Sequence, residues 1–244
     1  MSQLGQASAD SVAFDLSEVE CAKIWTVIAA YNEGSKIAEV VAELRTRLPH
    51  VVLVDDGSAD ATSDNALGAG AIVLRHGVNR GQGAALQTGI SYALGQGAEI
   101  VVTYDADGQH RMSDIPEMVR PILAGEADIC LGSRFLEHAG QVPWRRRVVL
   151  RLGRWFTVIT SGMRLSDTHN GFRALSRRAA QQIDIRLDRM AHASEIIDQI
   201  RRTGLVYREV SVQIRYTDYS RQKGQRSSAA FKIALDYLVQ RLLK

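Results

Sequence analysis

The sequence predicts an α/β domain with a mostly parallel central sheet flanked by helices. Three observations predict it. Continuous apolar runs of strand length recur through the first half of the chain, segments with helical apolar spacing separate them, and the runs end in small or acidic residues. At 244 residues, 45% apolar and 23% charged, the chain supports one elaborated domain over 21–215 with a substantial core. Residues 1–20 carry Asp10, Asp15, Glu18 and Glu20 without a Lys or Arg, and read as an acidic, mobile leader. Residues 216–244 read as a basic loop and a closing amphipathic helix.

The strand candidates, in order, are Ile24 to Ala30, Val51 to Val54, Ala71 to Leu74, Ile100 to Tyr104 and Asp128 to Leu131. Their unbroken apolar character suits strands covered on both faces. Between the first two, Ile37, Val40, Val41, Leu44 and Leu48 recur at helical spacing, and Pro49 ends the element. Gly57 and Ser58 are expected to open the next helix, and a cap role for Ser58 is the alternative to donor binding at this strand end. Ala84, Ala85, Leu86, Ile90, Ala93 and Leu94 form another stripe, stopped by Gly95 and Gly97. Near 113–124, Ser113 is the expected cap, Pro116 fits a first turn, and Ile115, Met118, Val119 and Ile122 supply a buried face. Residues 174–203 read as two helical pieces and Leu205 to Ile214 as a last strand; Phe231 to Leu242 is the closing helix. The succession of strand and helix implies a parallel sheet, whose ligands bind beyond the carboxyl ends of the strands.

Composition narrows the function classes. No uncharged run approaches the roughly 18–20 residues that cross a bilayer, and no basic segment followed by an apolar one marks the start, so a cytoplasmic location is expected. Cys21 and Cys130 stand far apart without zinc spacing and read as reduced, buried thiols. The net charge of +3 conceals an asymmetry, because residues 143–178 hold nine arginines against Asp167 alone. Such a half can face nucleic acid, an anionic membrane surface or a phosphorylated substrate. The arginines lack a reading helix or an aromatic stacking sheet, which counts against nucleic acid. The chain also lacks GxGxxG after its first strand and GxxxxGK[ST], which counts against nicotinamide enzymes and P-loop ATPases.

Chemistry concentrates at three strand ends: Ala30-Tyr31-Asn32-Glu33-Gly34, Asp55-Asp56-Gly57-Ser58 and Asp105-Ala106-Asp107-Gly108-Gln109-His110. Alternation along an extended segment lets Asp105 and Asp107 present both carboxylates to one ion, with Gln109 offering a neutral oxygen one step further. Hard oxygen ligands suit Mg²⁺ or Mn²⁺, ions that remain bound to substrate phosphates as well. An Asp-Gly turn alone would explain part of this segment, but a core strand rarely ends in clustered acids without a counterion. Asp55 and Asp56 are candidates for a base or ribose.

The segments AYNEG, LVDDGSAD, GVNRGQGAALQTGI, TYDADGQH, LGSRF and DTHNGFRAL stand in the order found in family 2 glycosyltransferases. The sequence most resembles the branch that transfers mannose to dolichyl or polyprenyl phosphate, over roughly residues 24–215. That resemblance implies a GT-A fold in which Ala30, Asn32, Glu33 and Asp55 line the nucleotide pocket, with Asp56 and Ala106 alongside. It implies that Asp105 and Asp107 engage Mg²⁺ or Mn²⁺ and the pyrophosphate of a GDP- or UDP-sugar, with Gln109 as a further metal ligand. Arg134 and Arg173 match basic positions beside the sugar and the acceptor phosphate.

The resemblance further implies transfer with inversion, by in-line attack on the anomeric carbon. A polyprenyl phosphate is already anionic and needs no strong base; a saccharide hydroxyl would need one, and Asp167 and His169 are the candidates. Where the branch usually reads Pro-Thr-Ser-Gly-Phe-Arg after this aspartate, the chain reads Thr168-His169-Asn170-Gly171-Phe172-Arg173. Trp144 to Phe156 reads either as an amphipathic surface at lipid headgroups, making the protein peripheral on the membrane, or as a core helix with a charged exterior. A nucleotidyltransferase, a nucleic-acid-binding protein and an idle carbohydrate-binding relative are the competing functions.

Overall fold

The computed structural model describes residues 14–136, 163, 165–168, 170–187 and 191–215. The arginine and aromatic stretch at 144–156, His169, the polar loop from Tyr216 onward and the helix expected at 231–242 lie outside these residues. Part of the expected leader is structured. Ser17 caps a helix, α1 (Glu18–Ala22), in a capping box with Glu20, and Phe14 and Leu16 pack on the core that buries Cys21.

The sheet contains β1 (Ile24–Ala30), β2 (His50–Asp55), β3 (Ile72–Arg75), β4 (Ile100–Asp105), β5 (Ile129–Ser133), β6 (Arg173–Ser176) and β7 (Tyr207–Ser211), in the order β3-β2-β1-β4-β6-β5-β7. All neighbours are parallel except β6, which runs antiparallel to both β4 and β5. The helices are α2 (Ile37–Arg45), α3 (Thr62–Gly68), α4 (Gln82–Gly95), α5 (Ile115–Leu123, entered through a 3-10 turn at Met112–Asp114), α6 (Arg177–Gln182) and α7 (Ala191–Thr203).

Strand alternation sorts the core into two layers. Ile24, Ile28, Leu53, Val102 and Tyr104 face α2 and α5 through Val40, Leu44, Met118 and Val119. Trp25, Val27, Val52, Val54, Val101 and Leu175 face the other way, onto Leu86 and Ile90 of α4 and Ile196 and Ile200 of α7. The chain leaves β1 for β2 on one side, while β4 lies on the other. The loops after β1 and β4 therefore open where the strand order reverses, the usual crevice of such sheets. Register places Ala30 opposite Asp55 and Ala29 opposite Asp105, which brings three strand ends to one level.

Three local expectations need correction. The helix after β2 begins at Thr62, because Ser58 is engaged in the preceding loop. Ser113 lies inside the 3-10 turn and does not cap α5. The first residues of the segment read as helical form β6, whose edges are filled by β4 and β5.

Gly89 sits mid-helix in α4, where glycine is unfavourable by about 1 kcal/mol against alanine. A Cβ there would lie 2.3 Å from Val27 Cγ1 and 3.2 Å from Val54 Cγ2. Close approach of α4 to β1 and β2 outweighs propensity. Gly89→Ala is expected to lower the stability read from a urea midpoint, by about 1–3 kcal/mol of overpacking less the propensity gain. An unchanged or raised midpoint would contradict it.

Candidate functional site

Asn32 holds a left-handed backbone (φ 54°) that turns the chain sharply after β1. The turn is stitched to the loop after β2. Asn32 N donates to Ser58 Oγ at 2.9 Å, Glu33 N to Thr62 Oγ1 at 2.9 Å and Gly34 N to Asp60 Oδ2 at 2.9 Å, while Ala59 N returns a bond to Asn32 Oδ1 at 2.9 Å. Asp55 is fully buried: its Oδ1 accepts from Ser58 N at 2.8 Å, its Oδ2 from Ser63 Oγ, and Arg75 Nε stands 3.8 Å away. Burial by itself raises the pKa of this carboxyl, but the bonds from Ser58 and Ser63 and the charge of Arg75 outweigh it and hold the group below its ordinary value.

Asp56, a candidate for base or ribose, is also tied into the protein by both oxygens. Oδ1 accepts from His76 Nδ1 at 2.7 Å and Arg80 N at 2.9 Å, and Oδ2 accepts from Gly81 N at 2.7 Å. Both oxygens thus hold the loop that leads from β3 into α4. Gly57, at φ +78°, lets that loop pass, since a Cβ would lie 2.9 Å from both Val78 C and Asn79 N.

At the end of β4, Asp105 is half-buried and accepts from His110 Nε2 at 2.9 Å, with Gln82 Nε2 at 3.5 Å from its other oxygen. Burial pushes its pKa up, but the charge and hydrogen bond of His110, then Arg173 and His192, hold it below the ordinary carboxylate value. His110 is buried between Tyr104 and Phe172, with centroids 5.3 and 4.9 Å away, and its backbone carbonyl accepts from Tyr104 Oη at 2.7 Å. Ala106 is buried, and Gly108 turns the loop at φ +72°. Asp107 Oδ1 accepts from Gln109 N at 3.0 Å and Oδ2 from Gln109 Nε2 at 2.7 Å. Burial, then the negative charges of Asp105 and Glu33, raise the Asp107 pKa.

The opposite wall comes from β5, β6 and the segment before β6. Arg134 grips Asp167 with two bonds, Nε to Oδ2 at 2.6 Å and Nη2 to Oδ1 at 2.9 Å. Glu209 of β7 holds this turn by accepting from Ser166 N at 2.7 Å and Ser166 Oγ at 2.6 Å. Both oxygens of Asp167 accept from Arg134, so this carboxylate, a candidate base, also braces the guanidinium. Arg173 is buried on β6 with Nη1 lacking a hydrogen-bond partner, and Asn170 Nδ2 lacks one too. Burial lowers the Arg173 pKa to about 10, against the opposing charges of Asp105 and Asp167.

Among the described residues no three His, Cys, Asp or Glu side chains are grouped to hold a metal by themselves. The donor set nevertheless fits a hard divalent cation that takes its remaining oxygens from phosphates and water. Asp105 and Asp107 supply charge, and Gln109 Oε1 is left for a neutral contact once Nε2 is committed to Asp107. The fold brings Ala30, Asn32, Glu33, Asp55, Asp105, Ala106, Asp107 and Gln109 to one end of the sheet, with Arg134 and Arg173 across the crevice. His110, Gly171 and Glu209 were not expected there. Their signals were faint: a histidine one step out of phase with the carboxylates, a glycine inside a matched motif, and a lone acid on the last strand.

The profile of "Glycosyl transferase family 2" matches residues 25–184. The UDP-N-acetylglucosamine–dolichyl-phosphate N-acetylglucosaminyltransferase of Methanococcus voltae is 31% identical over 91% of this chain and 97% of its own length. The polyprenol monophosphomannose synthase of Mycolicibacterium smegmatis is 30% identical over 65% of this chain and 63% of its own. In fold, the chain is similar to glucosyl-3-phosphoglycerate synthase from Mycobacterium tuberculosis, solved with Mn²⁺, UDP-glucose and phosphoglyceric acid: the TM-score is 0.69 at 20% identity, covering 92% of this chain and 80% of that one.

Proposed function

The chain belongs to glycosyl transferase family 2, and from that membership we propose that it moves a sugar, with inversion, from a GDP- or UDP-linked donor to a polyprenyl phosphate. The donor side rests on the loops after β1, β2 and β4. Asn32, Glu33, Asp55 and Ala106 shape the nucleotide end, and Asp105, Asp107 and Gln109 hold Mg²⁺ or Mn²⁺ against the pyrophosphate. When bound, the cation neutralises charge on the departing nucleoside diphosphate. His110, bonded to Asp105 Oδ2, would fix the orientation of this carboxylate as a ligand.

The observation that carries the acceptor assignment is the Arg134 and Asp167 pair. A saccharide hydroxyl needs a base to take its proton as it attacks, whereas Asp167, one candidate for that base, is paired with the Arg134 guanidinium, and a cation beside a carboxylate disfavours its protonation. A phosphate oxygen attacks without losing a proton: it bonds to the anomeric carbon while the bond from that carbon to the diphosphate oxygen breaks. Arg134 and Arg173, the latter with an unfilled buried donor at Nη1, supply positive charge on that side. The names of the M. voltae and M. smegmatis relatives, a dolichyl-phosphate transferase and a polyprenol monophosphomannose synthase, support the same acceptor class. No helix among the described residues is long and apolar enough to cross a membrane. In this reading the protein is peripheral and takes the lipid at the cytoplasmic face of the bilayer.

The test is transfer from radiolabelled UDP- and GDP-sugars, with Mg²⁺ or Mn²⁺, to polyprenyl phosphate and to soluble saccharides in parallel. Label is expected in the organic phase, with release of nucleoside diphosphate, and the donor that labels it identifies base and sugar. Label confined to aqueous saccharide products would overturn the acceptor; release of pyrophosphate would indicate a nucleotidyltransferase.

A further inference from the structure

Beyond β7, and outside the family match at 25–184, the backbone of residues 212–215 runs across the site like a strap. Val212 N donates to Ser133 O at 3.0 Å, Gln213 N to Asp114 Oδ2 at 2.8 Å and Arg215 N to Gln109 O at 2.8 Å. The strap therefore ties the last residue of β5, the turn before α5 and the Asp107 to Gln109 loop to one another. Its end is anchored by side chains: Arg215 Nη1 and Nη2 bond Glu43 Oε2 and Oε1 of α2 at 3.0 and 2.9 Å, a paired fork on a packed helix.

We propose that Arg215 is a positioning residue for the cation site, acting through Gln109. The carbonyl of Gln109 is held by the Arg215 amide, while its own amide groups hold both oxygens of Asp107. The Glu43 fork fixes where the Arg215 backbone lies, and so fixes the loop that aims Asp107. Gly108, in the left-handed region at φ +72°, makes this loop a bent segment that depends on outside contacts for its shape. Groups that orient a ligand from behind it commonly alter metal affinity by about 10- to 100-fold when lost. The pair Glu43 and Arg215 stands one residue further out, which puts the expected effect at the lower end of that range.

This inference rests on the assignment of Asp105 and Asp107 as cation ligands, and the test separates the two. Mn²⁺ alone is titrated into the full-length protein while free Mn²⁺ is followed by electron paramagnetic resonance, for the wild type, Asp107→Asn, Arg215→Glu, Glu43→Arg and the double exchange Glu43→Arg with Arg215→Glu. Thermal unfolding is recorded for each. The expected result is Mn²⁺ affinity lowered about 10-fold in each single exchange, most of it restored in the double, where the fork reforms with its charges reversed. Single exchanges that lower the unfolding temperature but leave Mn²⁺ affinity within about twofold would reduce the pair to a structural brace and overturn the proposal. So would a loss that the double exchange does not recover. Wild-type protein that binds no Mn²⁺, either alone or in a repeat titration with UDP or GDP present, or Asp107→Asn that binds as wild type, would remove the cation site itself and the inference with it.

Discussion

Asp107→Asn is expected to lower metal-dependent donor turnover by at least about 100-fold, or roughly 2.7 kcal/mol of transition-state stabilisation. Thermal unfolding should stay near that of wild type. The asymmetry follows from what the carboxylate does. Toward the protein it only accepts two bonds from Gln109, at 3.0 and 2.7 Å, and an asparagine of the same shape keeps one of them. Toward the crevice it supplies a full negative charge that a neutral amide cannot replace. Burial and the neighbouring Asp105 and Glu33 raise the Asp107 pKa, so the ionised form that a cation requires is lost at higher pH than for an ordinary carboxylate. Cation affinity should accordingly weaken as pH falls through that raised value, and the variant should lose this part of the dependence. Turnover unchanged at saturating Mn²⁺ would remove Asp107 from the cation site.

How far the fold was legible depended on whether a segment carried its own signal. Ile24 to Ala30 was read with the bounds the structure has, because seven small and apolar residues in a row admit little but a strand buried on both faces. The interior strand β6 carries no such signal. It is four residues long, begins with a buried arginine, and is a strand only because β4 and β5 leave a gap of its width. Ser58 and Asp56 show a similar limit. A serine or aspartate after a strand looks like a helix cap or a ligand, and only the fold reveals that Ser58 closes on Asn32, and Asp56 on the loop before α4. The carboxylates of the site were legible because charge at the end of a core strand is costly without a purpose. Their supports were not, since the pairing of Arg134 with Asp167 and of Arg215 with Glu43 joins residues 33 and 172 positions apart.

Gly171→Ala is expected to cost about as much turnover as losing a cation-binding carboxylate, on the order of 100-fold, although residue 171 has no side chain to contribute. A Cβ at this position would lie 2.5 and 2.7 Å from the two carboxylate oxygens of Asp105 and 2.9 Å from its Cγ. Neither side can yield easily. The Gly171 carbonyl accepts from Thr103 Oγ1 at 2.6 Å, Phe172 beside it is fully buried, and Asn170 Oδ1 pins the Phe172 amide at 3.0 Å. Asp105 in turn is held by His110. The methyl group must therefore swing the Asp105 carboxylate out of its place, with overpacking that costs about 1–3 kcal/mol of stability. A double-mutant cycle distinguishes this account from a general loosening of the site. With Asp105→Ala the space is vacated, so Gly171→Ala should add little further loss of stability or of turnover in that background, a strong coupling between the two positions. Full activity in the single variant, or losses that combine independently, would show that the glycine does not make room for Asp105.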